Sequence, residues 1–142
     1  MSDNKLLDLR RNKVEITIDI LIETFNKATE LGSQAANAQV SKLAMKEVAP
    51  GKLLDACGGS NLNLQIDGRS RTAKLINSID NPNINVSKSY SGGYCLRLPY
   101  EINIKPPVNG QEQSISYAAD KAAAKYIEDT LGIRAYALSY DS

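Results

Sequence analysis

Apolar residues at Val14, Ile18, Leu21, Phe25 and Ala28 recur in alternating steps of four and three, which places them on one face of a helix. The same stretch also alternates Val14, Ile16, Ile18 and Ile20 with Glu15, Thr17 and Asp19, the pattern of a half-buried strand. The helical period runs on past residue 22 whereas the alternation stops at Leu21, so the spacing favours a helix. Gly32-Ser33 then reads as a helix stop followed by an N-cap, because glycine takes the left-handed conformation readily and serine accepts from freed amides. A second helix over 33–48 follows, with Ala36, Val40, Leu43 and Val48 as its buried face and Ala49-Pro50-Gly51 as its end.

The middle of the chain changes period. Leu62, Leu64 and Ile66 alternate with Asn63 and Gln65, and Asp67-Gly68 reads as a type I′ turn that returns Arg69 to Asn77 as a partner strand. Asn81-Pro82-Asn83 marks a turn, Ile84 and Val86 open a further strand, and Gly92-Gly93 punctuates it. The run from Tyr94 to Ile104 alternates but carries Pro99, which confines it to an edge or a bulge. Pro106-Pro107 and Asn109-Gly110 form a loop by composition. Ser114 or Ser116 caps a helix through Ala118 to Leu131, Gly132 stops it, and Ile133, Ala135, Ala137 and Ser139 alternate with Arg134, Tyr136, Leu138 and Tyr140 in a terminal strand. The expected architecture is α+β, with N-terminal helices and one C-terminal helix packed on a mainly antiparallel sheet.

Composition leaves that picture intact. A chain of 142 residues with a hydrophobic fraction of 42% suits one domain, with the polar residues 1–12 expected to be a disordered tail. The formal net charge of +1 supplies no whole-protein field toward nucleic acid or an anionic membrane. The polar start lacks a secretory layout and no stretch approaches a bilayer span, so the expectation is a cytoplasmic protein without a membrane partner. Cys57 and Cys95 are far apart, lie in no metal-ligand array and read as reduced thiols; no metal or cofactor is expected.

The sequence contains no histidine, which removes histidine-based triads, dyads and metal ligands at once. Cys57, beside Asp55 and followed by Gly58-Gly59-Ser60, is the one reactive-thiol candidate, set against a plain buried thiol at a glycine turn. Asp120, Glu128 and Asp129 are expected to be spread around the surface of the last helix, without a catalytic pair. Cys95 is expected to pack against the core. Arg69, Arg71, Lys88 and Arg97 are the nucleic-acid candidates, with Arg69 and Arg71 expected on one face of a strand. Tyrosine is the common aromatic, seven against one phenylalanine and no tryptophan, and Tyr90, Tyr94, Tyr100, Tyr136 and Tyr140 are the interface candidates. These features favour a non-catalytic protein that binds another protein or itself, with nucleic-acid binding and cysteine-dependent catalysis as the alternatives.

Overall fold

The computed structural model describes residues 15–45, 58–89, 92–103 and 113–141. Three helices pack on one face of a four-stranded antiparallel sheet, the α+β class read from the sequence. Helix α1 spans Ile18–Met45 and strand β1 spans Gly58–Gln65. Helix α2 (Arg71–Asn77), strands β2 (Asn85–Lys88) and β3 (Tyr94–Arg97), helix α3 (Gln113–Leu131) and strand β4 (Arg134–Asp141) follow. The strand order is β2-β3-β1-β4, so β2 and β4 are the edges among the described residues. The expected disordered tail 1–12, the helix end at 49–51, Cys57, Tyr90 and the loop around 106–110 lie outside the described residues.

Residues 18–22 are helical, which resolves the ambiguous stretch. Thr17 caps the start: its hydroxyl accepts from the Ile20 N–H at 3.2 Å and its carbonyl from the Leu21 N–H at 3.0 Å. The helix does not break at Gly32-Ser33, contrary to expectation, and continues for 28 residues, about 42 Å. Its buried positions Leu21, Phe25, Ala28, Ala36 and Val40 keep one face turned inward across the glycine. Ser33 is no cap, since its hydroxyl donates to the Thr29 carbonyl at 2.8 Å within the same helix. Gly32 serves close packing instead: a Cβ there would lie 2.8 Å from Tyr100 Cδ1 and 2.9 Å from the Ala119 carbonyl oxygen.

The expected return strand over Arg69 to Asn77 is helix α2. Asp67 directs this outcome, because its carboxylate accepts from the Arg69 N–H at 2.9 Å and its carbonyl from the Ser70 N–H at 3.0 Å. Ser70 Oγ then accepts from the Ala73 N–H at 3.1 Å, a cap that starts a helix where a hairpin was expected. Ala73 and Ile76 carry α2 into the core. The pairing partners of β1 are therefore distant: Leu62 faces Leu96 and Ala137, and Leu64 faces Tyr94 and Ala135.

Side chains of one strand parity, Leu62, Leu64, Tyr94, Leu96 and Ala135, join Leu21 and Phe25 of α1, Ile76 of α2 and Ile127 of α3 in the main core. A second cluster, Ala36, Val40, Ile115 and Ala119, closes the far ends of α1 and α3 on each other. Gly132, at a φ of 72°, ends α3 and donates its N–H to the Glu128 carbonyl at 2.9 Å, as expected of a helix stop.

Candidate interaction surface

The other strand parity builds the second face of the sheet. It carries Asn61, Asn63 and Gln65 on β1, Cys95 and Arg97 on β3, and Tyr136, Leu138 and Tyr140 on β4. Register sets Tyr136 opposite Asn63, Leu138 opposite Asn61 and Tyr140 opposite Gly59. Tyr136 lies half-buried with its hydroxyl 3.4 Å from Gln65 Oε1 and the Arg134 guanidinium 5.6 Å from its ring centre. The Tyr140 ring crosses Gly59, where a Cβ would come within 2.7 Å of the phenolic oxygen. Leu138 is 53% exposed and Tyr140 49%, and they are the large exposed hydrophobic residues among those described. Tyr136, Leu138 and Tyr140 thus form a continuous apolar row along an edge strand.

The five tyrosines singled out by sequence divide between the two layers. Tyr136 and Tyr140 lie on the open face. Tyr94 does not: only 3% exposed, it points into the core, and its hydroxyl accepts from Asn77 Nδ2 at 3.2 Å. Tyr100 is half-buried beside Gly32 with its hydroxyl committed to Asp120, so neither of these two offers a free ring. Cys95 also departs from expectation. It sits half-buried on the open face, on the opposite parity from Tyr94 and Leu96, and burial pushes its thiol up, with Arg97 lowering it and Asp120 raising it. A raised thiol is the protonated, unreactive form at neutral pH.

The four basic candidates do not share a sheet face. Arg69 lies in the turn before α2 and pairs with Asp67 at 3.7 Å, and Arg71 opens α2 and pairs with Glu15 at 2.7 Å. Lys88 ends β2 opposite Tyr94, on the helix-side parity, whereas Arg97 ends β3 on the open face. Two of the four charges are thereby partnered within the chain.

Sequence reasoning missed a buried polar junction. Asp120, expected on the helix surface, is 7% exposed and points at the sheet. Its carboxylate accepts a short hydrogen bond from Ser60 of β1 and another from the Tyr100 hydroxyl at 2.6 Å. Burial pushes the carboxyl above the usual range, against the opposing effects of those two donors and of the Arg97 charge. Burial also raises the Tyr100 hydroxyl, followed by the charge and hydrogen bond of Asp120. One carboxylate therefore ties α3, β1 and the segment after β3 together, and Tyr100 extends the tie to α1 at Gly32. A helical wheel carries the signal: Asp120 stands three, four and seven positions before Ala123, Ala124 and Ile127, all buried.

The segment after β3 runs along α1. Asn37 Nδ2 donates to the Glu101 carbonyl at 2.9 Å, Asn37 Oδ1 accepts from the Asn103 N–H at 2.8 Å, and Ser33 Oγ accepts from the Glu101 N–H at 2.9 Å. Between them lies an open groove of about 520 Å³ bordered by Asn26, Glu30, Asn83 and Glu101. Two of its polar side chains, Ser33 and Asn37, are spent on holding the chain rather than offered to a ligand.

Among the described residues no group of histidine, cysteine or acidic side chains is placed to hold a metal ion, and no helix is long and apolar enough to cross a membrane. Comparison with known proteins returns no match among family models, curated proteins or solved structures.

Proposed function

We propose that this chain is a non-catalytic protein-interaction protein whose contact surface is the open face of β4. The observation that carries the reading is the row Tyr136, Leu138 and Tyr140, with Leu138 53% and Tyr140 49% exposed. Scattered exposed apolar residues are ordinary, but a contiguous aromatic and aliphatic row flanked by amides has the composition of an interface centre with a polar rim. The alanine-rich half of α1 is a poorer candidate, since Ala36 and Val40 are already covered by Ile115 and Ala119. A cytoplasmic adaptor or homo-oligomer fits the reading.

The test is capture on immobilised protein, wild type beside Leu138→Asp, with bound protein identified and both forms checked for equal thermal stability. The reading expects a defined partner, a different protein or the chain itself, that the variant loses. Equal capture by the two forms, or none by either, refutes it.

A further inference from the structure

The two edges of the sheet are protected very differently. Edge β2 has four residues, Asn85 to Lys88, is polar, ends in a lysine and follows Pro82, which are the usual devices against strand addition. Edge β4 has eight residues, Arg134 to Asp141, with neither proline nor lysine and with its apolar row on the open face. Helix α3 reaches both ends of it: Glu128 Oε1 accepts from the Ala135 N–H at 3.3 Å, and Gln113 Nε2 donates to the Tyr140 carbonyl at 2.8 Å, so a strand added over the full length of β4 exchanges these two side-chain bonds for strand bonds.

We propose that two copies of this chain pair antiparallel through β4, about a two-fold axis at Leu138, and so join their sheets into one. The proposal rests on the reading of β4 as the contact surface and names its occupant. A two-fold axis perpendicular to a continuous sheet keeps each face on its own side, so residues directly opposite must share a face and the axis passes through a residue. On the open face of β4 the row reads tyrosine, leucine, tyrosine, the same in both directions about Leu138. The axis at Leu138 therefore sets Leu138 against its copy and Tyr136 against Tyr140 of the second copy on both sides, the aromatic cross-strand pairs that favour pairing. The contact is isologous and uses β4 twice, and the protected β2 edges stop further growth, which makes a closed dimer and not a fibre.

The experiment combines light scattering over a range of protein concentrations with cysteine cross-linking in a Cys57→Ser, Cys95→Ser background. Facing Cβ atoms across a strand pair lie about 5 Å apart, close to disulfide reach, so Leu138→Cys is expected to form a covalent dimer under mild oxidation. Lys125→Cys, on the exposed side of α3, is the control and is expected to cross-link far more slowly. The wild type is expected to approach dimer mass with concentration, and Leu138→Asp, which sets two carboxylates against each other, to weaken the dimer about tenfold or more. A wild type that stays monomeric at every concentration overturns the pairing, as does cross-linking of Leu138→Cys no faster than the control. If the wild type is monomeric while Leu138→Asp still abolishes capture of a different protein, the pairing fails and the contact surface stands; if that capture is also unaffected, both fail.

Discussion

Replacing Gly32 by alanine is expected to destabilise the protein, the opposite of what the same change does in an ordinary helix. In a helix interior alanine is favoured over glycine by about 1 kcal/mol, so propensity alone predicts a gain. Here the added Cβ would lie 2.9 Å from the Ala119 carbonyl, which belongs to the backbone of α3 and cannot rotate away, and 2.8 Å from the Tyr100 ring. Forcing apart two packed elements costs about 1–3 kcal/mol. Moving the Tyr100 ring also withdraws its hydroxyl from the buried Asp120 carboxyl, which adds about 1–3 kcal/mol for a desolvated polar group that loses a partner. Weighed against the propensity gain, the net loss is about 3 kcal/mol. Urea unfolding followed by circular dichroism would show it as a fall in midpoint of about 1.5 M at a slope near 2 kcal/mol/M. A variant as stable as the wild type, or more so, would refute the claim that α1, Tyr100 and α3 meet at this residue.

Asp120→Asn tests the junction through pH. Because burial holds the folded-state carboxyl above its unfolded value, its contribution is fully present below the unfolded pKa and is lost as pH rises through the raised folded one. Stability of the wild type minus that of Asp120→Asn should therefore fall across that window in urea titrations, and a flat or rising difference would contradict it. Ser70→Ala should cost about 1 kcal/mol by removing the cap of α2, measured by the same unfolding assay, and no change would argue against the helix there. Asn37→Ala should speed hydrogen exchange at the Asn103 amide, which donates to the Asn37 side chain, while the core strands keep their protection. Unchanged exchange at Asn103 would show that Asn37 does not hold the segment.

The α+β class, the C-terminal helix and the terminal strand were legible because each rests on a local signal that nothing distant overrides: a helix stop at Gly132 and period-two alternation through Tyr140. The two main errors have a common cause. Gly32 and Asp67-Gly68 carry strong local turn chemistry, and tertiary partners decided its use: Tyr100 and Ala119 claimed the glycine for close packing, and Ser70 converted the turn into a helix start. The tyrosines could have been sorted further from sequence. Tyr94 shares the parity of Leu96, which marks it as core, while Tyr136 and Tyr140 oppose Ala135 on the same strand and fall on the other face. Asp120 was hidden because a carboxylate on an exposed-looking helix is read as solvated; its hydroxyl partners, Ser60 and Tyr100, come from β1 and from the segment after β3.

Amide hydrogen exchange on the assembled protein, compared with the dissociated form, tests the assignment of β4 as the contact surface most directly. The account predicts that assembly slows exchange along Tyr136 to Tyr140 and leaves the exposed side of α1 unchanged. Protection centred on the groove between α1 and residues 99–103, with β4 exchanging as before, would contradict it.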